Sequence, residues 1–263
     1  MRNKLTDELA VCGMNAVLAI GEYHPDTINR LFLREDRLKS FTGVCKQLAE
    51  RKRPYKICED EELERICKSV HHQGVVAMIE EPVIEPLSVE DLDLWVNEGK
   101  TGILLHSVGN DHNLGAIARA AAFFDVSFMV LNEKCIIGND EDKQGLRLTT
   151  SAYRVAEGGF EHFLVRKITN TAAFLKDASK RLVTIGTDTR ARRRISDLKG
   201  IVKTGSQVKR PGIVLVLGNE ETGLPDNVKE QCSCLLRIPG TGNIESLNVS
   251  QAAALFLHTI FEV

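Results

Sequence analysis

The chain reads as an α/β protein whose larger part is built on a parallel sheet, and three observations carry that reading. Short apolar runs at 101–108, 127–131, 183–186, 211–217 and 234–238 have the continuous hydrophobicity of strands buried on both faces. Amphipathic helical patterns separate most of them, as crossover connections between parallel strands require. The last run, Cys234-Leu-Leu-Arg-Ile238, leads through Pro-Gly-Thr-Gly-Asn-Ile-Glu-Ser-Leu-Asn-Val-Ser250 into a helix. Val249, Ala252, Ala253, Phe256 and Ile260 share one face of that helix. Strand, glycine loop and helix start present free backbone N–H groups at the carboxyl edge of a sheet, where open α/β proteins hold nucleotide-like ligands. An ordinary β-to-α turn has the same pattern, so this stretch needs company before it means more.

At 263 residues, 43% apolar and 27% charged, the chain fits one large or two ordinary domains with a proper core. No apolar run is long enough to span a membrane, and the N-terminus has no signal-peptide core, so a cytoplasmic protein is expected. Seven cysteines (12, 45, 58, 67, 135, 232, 234) form no C-x-x-C pair and sit mostly in apolar runs, which predicts buried thiols and no metal site. The net charge of −2 gives no overall attraction to nucleic acid, so RNA contact requires a local basic patch.

Residues 1–80 are expected to form a small α/β domain. It contains an apolar stretch at 9–20, a helix begun by His24-Pro-Asp26 and carrying Ile28, Leu31 and Phe32, and a helix at 37–51. A strand at 55–58, a helix at 60–68 and a closing strand at 75–79 complete it. The basic cluster Arg51-Lys-Arg53 with Lys56 reads as a solvated helix end in preference to an RNA contact. His71-His72 has no third ligand nearby and does not read as a metal site. Residues 81–98, with two prolines and several acidic side chains, are expected to be a linker.

Residues 99–263 form the second expected domain. Gly109-Asn-Asp-His-Asn-Leu-Gly115 reads as the loop after the 101–108 strand, with a helix at 116–124 and Arg119 off its packed stripe. The polar segment 132–150 is long enough to suggest a functional loop. A helix at 170–182 and a strand at 183–186 follow. Arg190, Arg192, Arg193 and Arg194 make the densest basic patch, which is either a solvated face or a phosphate contact at a strand's carboxyl end. Gly218-Asn-Glu-Glu-Thr-Gly-Leu-Pro225 is the loop after the 211–217 strand. No dinucleotide-binding or P-loop fingerprint occurs in a suitable context.

Three stretches stand in order: Asn113-Leu-Gly-Ala-Ile-Ala-Arg119, Leu217-Gly-Asn-Glu-Glu-Thr-Gly-Leu-Pro225, and 238–250 with Ser246-Leu-Asn248. Together they resemble the three motifs of the SpoU (TrmH-like) RNA ribose 2′-O-methyltransferases. The first third resembles that family's ribosomal-protein-like substrate-binding domain, ending in His72-Gln-Gly-Val-Val-Ala77. Ala156 to His162 and Gly240-Thr-Gly-Asn243 look most like the YfiF subgroup.

The resemblance implies a trefoil-knotted, SPOUT-type domain with a parallel sheet, a homodimer, and S-adenosylmethionine as cofactor. It implies Asn113, Arg119, Glu220, Ser246 and Asn248 as polar site residues and Gly218, Ile238, Leu247 and Asn248 around the cofactor. The substrate implied is tRNA or rRNA, with an inactive RNA- or ribosome-binding factor of the same fold as the alternative. Glu220 is expected to fix its loop by accepting backbone N–H bonds. Two residues depart from the pattern. Asp111 replaces a usual proline and is expected to loosen the loop before Asn113, and Gly240 replaces a larger apolar residue.

Overall fold

The computed structural model describes residues 2–3, 8–133, 147–203 and 211–262. Most of the expected 132–150 loop, with Cys135, lies outside the described residues. The first sheet contains β1 (Arg2–Asn3), β2 (Glu8–Cys12), β3 (Ile28–Leu33), β4 (Tyr55–Ile57) and β5 (Val75–Glu80), in the order β1-β2-β5-β3-β4. Its pairs are antiparallel except β3 with β4. Helices α1 (Met14–Tyr23) and α2 (Thr42–Glu50) cover one face, where Val17, Ile20, Val44 and Leu48 are buried. Helix α3 (Asp60–Cys67) covers the other with Leu63 and Cys67, against Ala10, Cys12 and Val76.

The helix expected from His24 is instead one 3-10 turn, Pro25–Thr27, followed by β3. A bulge between Ile28 and Arg30 explains the misreading. One extra residue at the start of the strand sets buried Ile28 and Leu31 three apart, and Phe32, which packs on the opposite face of the sheet, completes a false i, i+3, i+4 helical stripe. The nearby basic cluster is tied into its own domain. Arg51 pairs with Asp26 at 2.8 Å, Lys56 with Glu62 at 2.6 Å, and Arg53 donates to the Ile28 carbonyl at 2.6 Å.

Residues in the expected linker carry regular structure. β6 (Glu85–Pro86) pairs with a later strand, and α4 (Val89–Glu98) begins with a Ser88/Asp91 capping box. Trp95 on α4 is buried, donates from Nε1 to the Lys100 carbonyl at 2.9 Å, and stacks on Phe128 at 5.1 Å. A stretch rich in acid and proline still packs because Leu87, Leu92, Trp95 and Val96 turn inward, while Val83, Val89 and Leu94 stay exposed.

The second sheet comprises β6, β7 (Thr101–Leu105), β8 (Phe128–Asn132), β9 (Leu164–Ile168), β10 (Val183–Thr187), β11 (Arg193–Arg194), β12 (Ile213–Leu217) and β13 (Cys234–Arg237). Its order is β11-β13-β10-β12-β7-β8-β9-β6, and every pairing is parallel. Helices α5 (Asp111–Phe123), α6 (Thr150–Ala156) and α10 (Val249–Phe261) pack on one face. Helix α4, α7 (Thr171–Ala178) and the short α9 (Asp226–Lys229) pack on the other, and α8 (Leu198–Lys203) lies between β11 and β12 in the chain. Gly115 permits the crossing of α5 on α6, since a Cβ there would lie 2.6 Å from the Ala152 carbonyl oxygen. The six described cysteines are all free, and burial pushes the Cys232 thiol up to about 12.

One apolar core runs through both domains. Thr150 Oγ1 donates to the Ala10 carbonyl at 2.6 Å, Asn15 Nδ2 to Glu157 Oε2 at 3.2 Å, and Tyr23 meets His162 edge-on at 4.9 Å. Glu161, with only 7% of its side chain exposed, lies 3.4 Å from His24 Nε2 across this junction. Burial pushes the Glu161 carboxyl from its ordinary 4.5 up to about 7. The folded state therefore binds this proton more tightly than the unfolded state, and its contribution to stability is lost as pH rises from 4.5 through about 7. Glu161→Gln should flatten that window and raise stability at pH 8 by about 3 kcal/mol. Urea denaturation at pH 5 and pH 8 checks this, and equal parent-to-variant differences at both would reject it.

Candidate active site at the carboxyl edge of the sheet

Because β7, β12 and β13 are parallel, their carboxyl ends reach the same edge, and each feeds one of the three motif loops. Helix α5 begins at Asp111, earlier than the 116 expected, because Asn110 caps it. Asn110 Oδ1 accepts from the N–H groups of His112 at 2.8 Å and Asn113 at 3.3 Å. Asn113 thus stands on the first helical turn and not in a loop. Asp111 occupies the first helical position, where proline is favoured for its fixed φ and an acid for the helix dipole. Its Oδ2 accepts from Thr149 Oγ1 at 2.7 Å, so this segment is tethered, contrary to the loosening expected.

After β12, Gly218 and Gly223 frame a tight turn in which Asn219 and Gly223 exchange both backbone hydrogen bonds, at 3.2 and 2.9 Å. Asn219 is the organising side chain, and the sequence reading missed it. Its Oδ1 accepts from the N–H groups of Glu221 at 3.0 Å and Thr222 at 3.1 Å, while Nδ2 donates to the Ser107 carbonyl at 2.9 Å. Such Asx-turn bonding is the available signal in Gly-Asn-Glu-Glu-Thr-Gly. Glu220 does not fill the backbone-accepting role expected of it. Its Oε1 accepts from Asn113 Nδ2 at 2.7 Å.

The third loop completes a bonded chain of side chains. Asn248 caps α10 by accepting from the Ser250 N–H at 2.8 Å, and its Nδ2 donates to Asn113 Oδ1 at 3.0 Å. Asn113 therefore joins Glu220 to Asn248 across loops more than 100 residues apart in sequence. Among the described residues, 240–247 makes no backbone hydrogen bond, and Ser246 and Leu247 are exposed. A Cβ at Gly240 would meet open space, whereas Gly242 has φ +89°, which favours glycine. Asn248→Ala should cost about 1 kcal/mol of stability, the value of a side-chain cap, because its amide is solvent-exposed. A thermal melt indistinguishable from the parent's would show that the cap contributes nothing.

Arg119 does not join this cluster. Six residues beyond Asn113 on one helix amounts to about 9 Å along the axis and about 240° around it. Its Nη1 pairs instead with Glu157 Oε1 at 2.9 Å, and 61% of the side chain is exposed. Arg190, Arg192, Arg193 and Arg194 are all exposed, and among the described residues the acidic contacts at this patch are made by backbone N–H groups, Arg190 to Asp188 and Arg194 to Asp197. β11 pairs Arg193 with Leu236 and Arg194 with Arg237 at the same sheet edge. The turn before it is held by Asp188, which takes hydrogen bonds from Lys229 at 2.8 Å and the Arg190 N–H at 2.8 Å. Burial works to raise the Asp188 carboxyl, but those bonds outweigh it and hold the group below the usual carboxylate range. Among the described residues, no group of three or more His, Cys, Asp or Glu is placed to hold a metal ion, and no helix is long and apolar enough to cross a membrane.

The SpoU rRNA methylase family model matches residues 100–258, which include all three motif loops and β7 through most of α10. The chain belongs to the SpoU rRNA methylase family. A second family model, RNA 2′-O ribose methyltransferase substrate binding, matches residues 10–83. Among related SpoU-type chains, the uncharacterized tRNA/rRNA methyltransferase YfiF of Escherichia coli O157:H7 is 28% identical over 98% of this chain and 69% of its own length. The 23S rRNA (guanosine-2′-O-)-methyltransferase RlmB of Nitrosomonas europaea is 29% identical over 98% of this chain and 92% of its own. The SpoU methyltransferase AviRb from Streptomyces viridochromogenes has the same fold, with a TM-score of 0.71 at 19% identity over 100% of this chain and 92% of that one.

Proposed function

We propose that this SpoU-family chain transfers the methyl group of S-adenosylmethionine to a ribose 2′-hydroxyl in tRNA or rRNA. The observation that carries the reading is the bonded series Glu220–Asn113–Asn248, which draws three motif loops to one sheet edge. The residues there fit the cofactor. Gly218 is packed so closely on the Gly223–Leu224 backbone that no side chain intrudes, and 240–247 offers main-chain groups that make no backbone hydrogen bond among the described residues. Backbone around Gly218, Ile238 and Leu247 would hold it, with Asn248 fixing the loop. When bound, S-adenosylmethionine supplies an electrophilic methyl group on a sulfonium.

The protein's own work is then to position a ribose hydroxyl in line and to manage its proton. A guanidinium is a poor proton acceptor and a good partner for phosphate, so Arg119 serves as a phosphate anchor that orients the ribose, and the hydroxyl proton leaves to water or a nearby side chain. Ser246 and Asn248 would hold the hydroxyl and the loop. The exposed arginines at 190 and 192–194 supply RNA contacts. The reading includes a trefoil knot, supported by the return of the chain from β13, the neighbour of edge strand β11, to α10, which packs on α5. It also includes a cytoplasmic homodimer in which exposed Phe123, Leu255 and Phe261 on α5 and α10 are covered.

The test is a map of 2′-O-methylation in tRNA and rRNA from cells with and without the protein, beside calorimetry with S-adenosylmethionine. One or more sites lost with the protein and restored by it are expected. Identical maps together with no cofactor binding would favour an inactive RNA- or ribosome-binding factor.

A further inference from the structure

Where the two domains meet, the surface opens into a groove of about 470 Å³, away from the Glu220–Asn113–Asn248 series. Val70, His71 and Gln73 line it from the first domain, and Arg119, Arg154 and Glu157 from the second. That volume is within the usual range of ligand sites and is lined largely by polar groups. We infer that this groove binds a nucleotide unit of single-stranded RNA, with Arg154 and Arg119 on its phosphodiester and the phosphate displacing the Glu157 carboxylate. The inference rests on the RNA-modifying reading above and names where that RNA enters.

The charges favour an anion. Two guanidinium groups face one carboxylate, and Arg154, although partly buried, has no acidic partner among the described residues. Guanidinium forks suit phosphate oxygens, which they can bind in bidentate fashion. Glu157 already holds an anionic group in the groove. Its backbone is left-handed at φ 48°, and its carboxylate takes Arg119 on one oxygen and Asn15 on the other, at 2.9 and 3.2 Å. An incoming phosphate can take Arg119 while Glu157 keeps its bond from Asn15, so the exchange leaves no carboxylate buried without a partner.

The first domain supplies a surface for the base. Val70 is 67% exposed and offers an apolar surface, and His71 beside it is exposed too. Its neighbour His72 is buried, with Nδ1 accepting from the Gly74 N–H at 3.0 Å, so of this histidine pair only His71 is free to stack. Bases in single-stranded RNA are held by such stacking on histidine and by apolar contact. Gln73 is fixed by its Oε1, which accepts from the Met14 N–H at 2.9 Å, and this holds the turn against the groove.

The test measures anisotropy of a short labelled single-stranded RNA of mixed sequence on the full chain across a salt series. Arg154→Ala should weaken binding about tenfold and make the log–log salt slope shallower by about 0.7, the value for one phosphate contact on a single strand. A purely structural role would lower affinity without that change in slope. Glu157→Gln keeps the size of the side chain and the Asn15 bond but frees Arg119, so binding should tighten severalfold. This variant decides the matter if Arg154→Ala fails to fold. Affinities and slopes equal to the parent's, or tight binding of adenosine monophosphate with none of the RNA, would overturn the inference. Methyl transfer by the parent is scored separately. Transfer with unaffected groove variants sinks the groove alone, whereas groove effects without transfer sink the proposed reaction alone.

Discussion

Arg119→Ala should lower methyl transfer to RNA by about 100-fold, the loss expected when the anchor that positions a reacting group is removed. Stability should hardly change. Among the described residues the ion pair lost is Arg119–Glu157, with 61% and 33% of the two side chains exposed, and pairs of that kind contribute about 0–1 kcal/mol. Cofactor affinity should also stay near the parent's, because Arg119 is turned about 240° around α5 from Asn113 and makes no bond to Glu220 or Asn248. Arg119→Lys should not restore the rate, since a point charge replaces a planar fork. Single-turnover assays beside calorimetry separate the two effects. Substantial turnover in the alanine variant would remove this arginine from the mechanism, and a matching loss of cofactor affinity would make it a cofactor residue instead.

That separation could not be read from the sequence, and the reason is physical. Strands β7 and β12 are legible because they are almost wholly apolar and buried on both faces, β13 because its Cys-Leu-Leu run is apolar with one face buried, and the glycines after them mark their ends. Asn113, Glu220 and Asn248 were legible only as motif members. Nothing local says that one amide, Asn113, bridges the other two. Arg119 shares a motif with Asn113, yet helical geometry turns it towards the other domain. Its partner Glu157 depends on Asn15, 142 positions away, and no periodicity encodes a contact of that range. The β3 bulge shows the converse failure, where a local pattern was clear and pointed to the wrong element. Asp111 differs again. Judged against a missing proline it looked like a defect, but at the first turn of α5 an acid that accepts from Thr149 does the same work by other means.

Gly218→Ala should damage both stability and cofactor binding, because the position has no room for a methyl group. A Cβ there would lie 2.4 Å from the Gly223 carbonyl carbon, 2.6 Å from its oxygen and 2.6 Å from the Leu224 nitrogen. All three are backbone atoms, so no flexible side chain can swing aside. The turn must open instead, which breaks the paired Asn219–Gly223 bonds and moves Glu220 away from Asn113. Overpacking of this kind costs about 1–3 kcal/mol, which for a chain of this length lowers Tm by about 5 °C. Because the same turn is the proposed seat of S-adenosylmethionine, affinity should fall at least about tenfold, or about 1.4 kcal/mol. Gly240→Ala provides the contrast. Its Cβ would meet nothing within 4 Å, so the fold should tolerate it, and any effect must come from the ligand side of the loop. If Gly218→Ala kept the parent's melting point and cofactor affinity, the close approach of these two backbone segments would have no part in building the site.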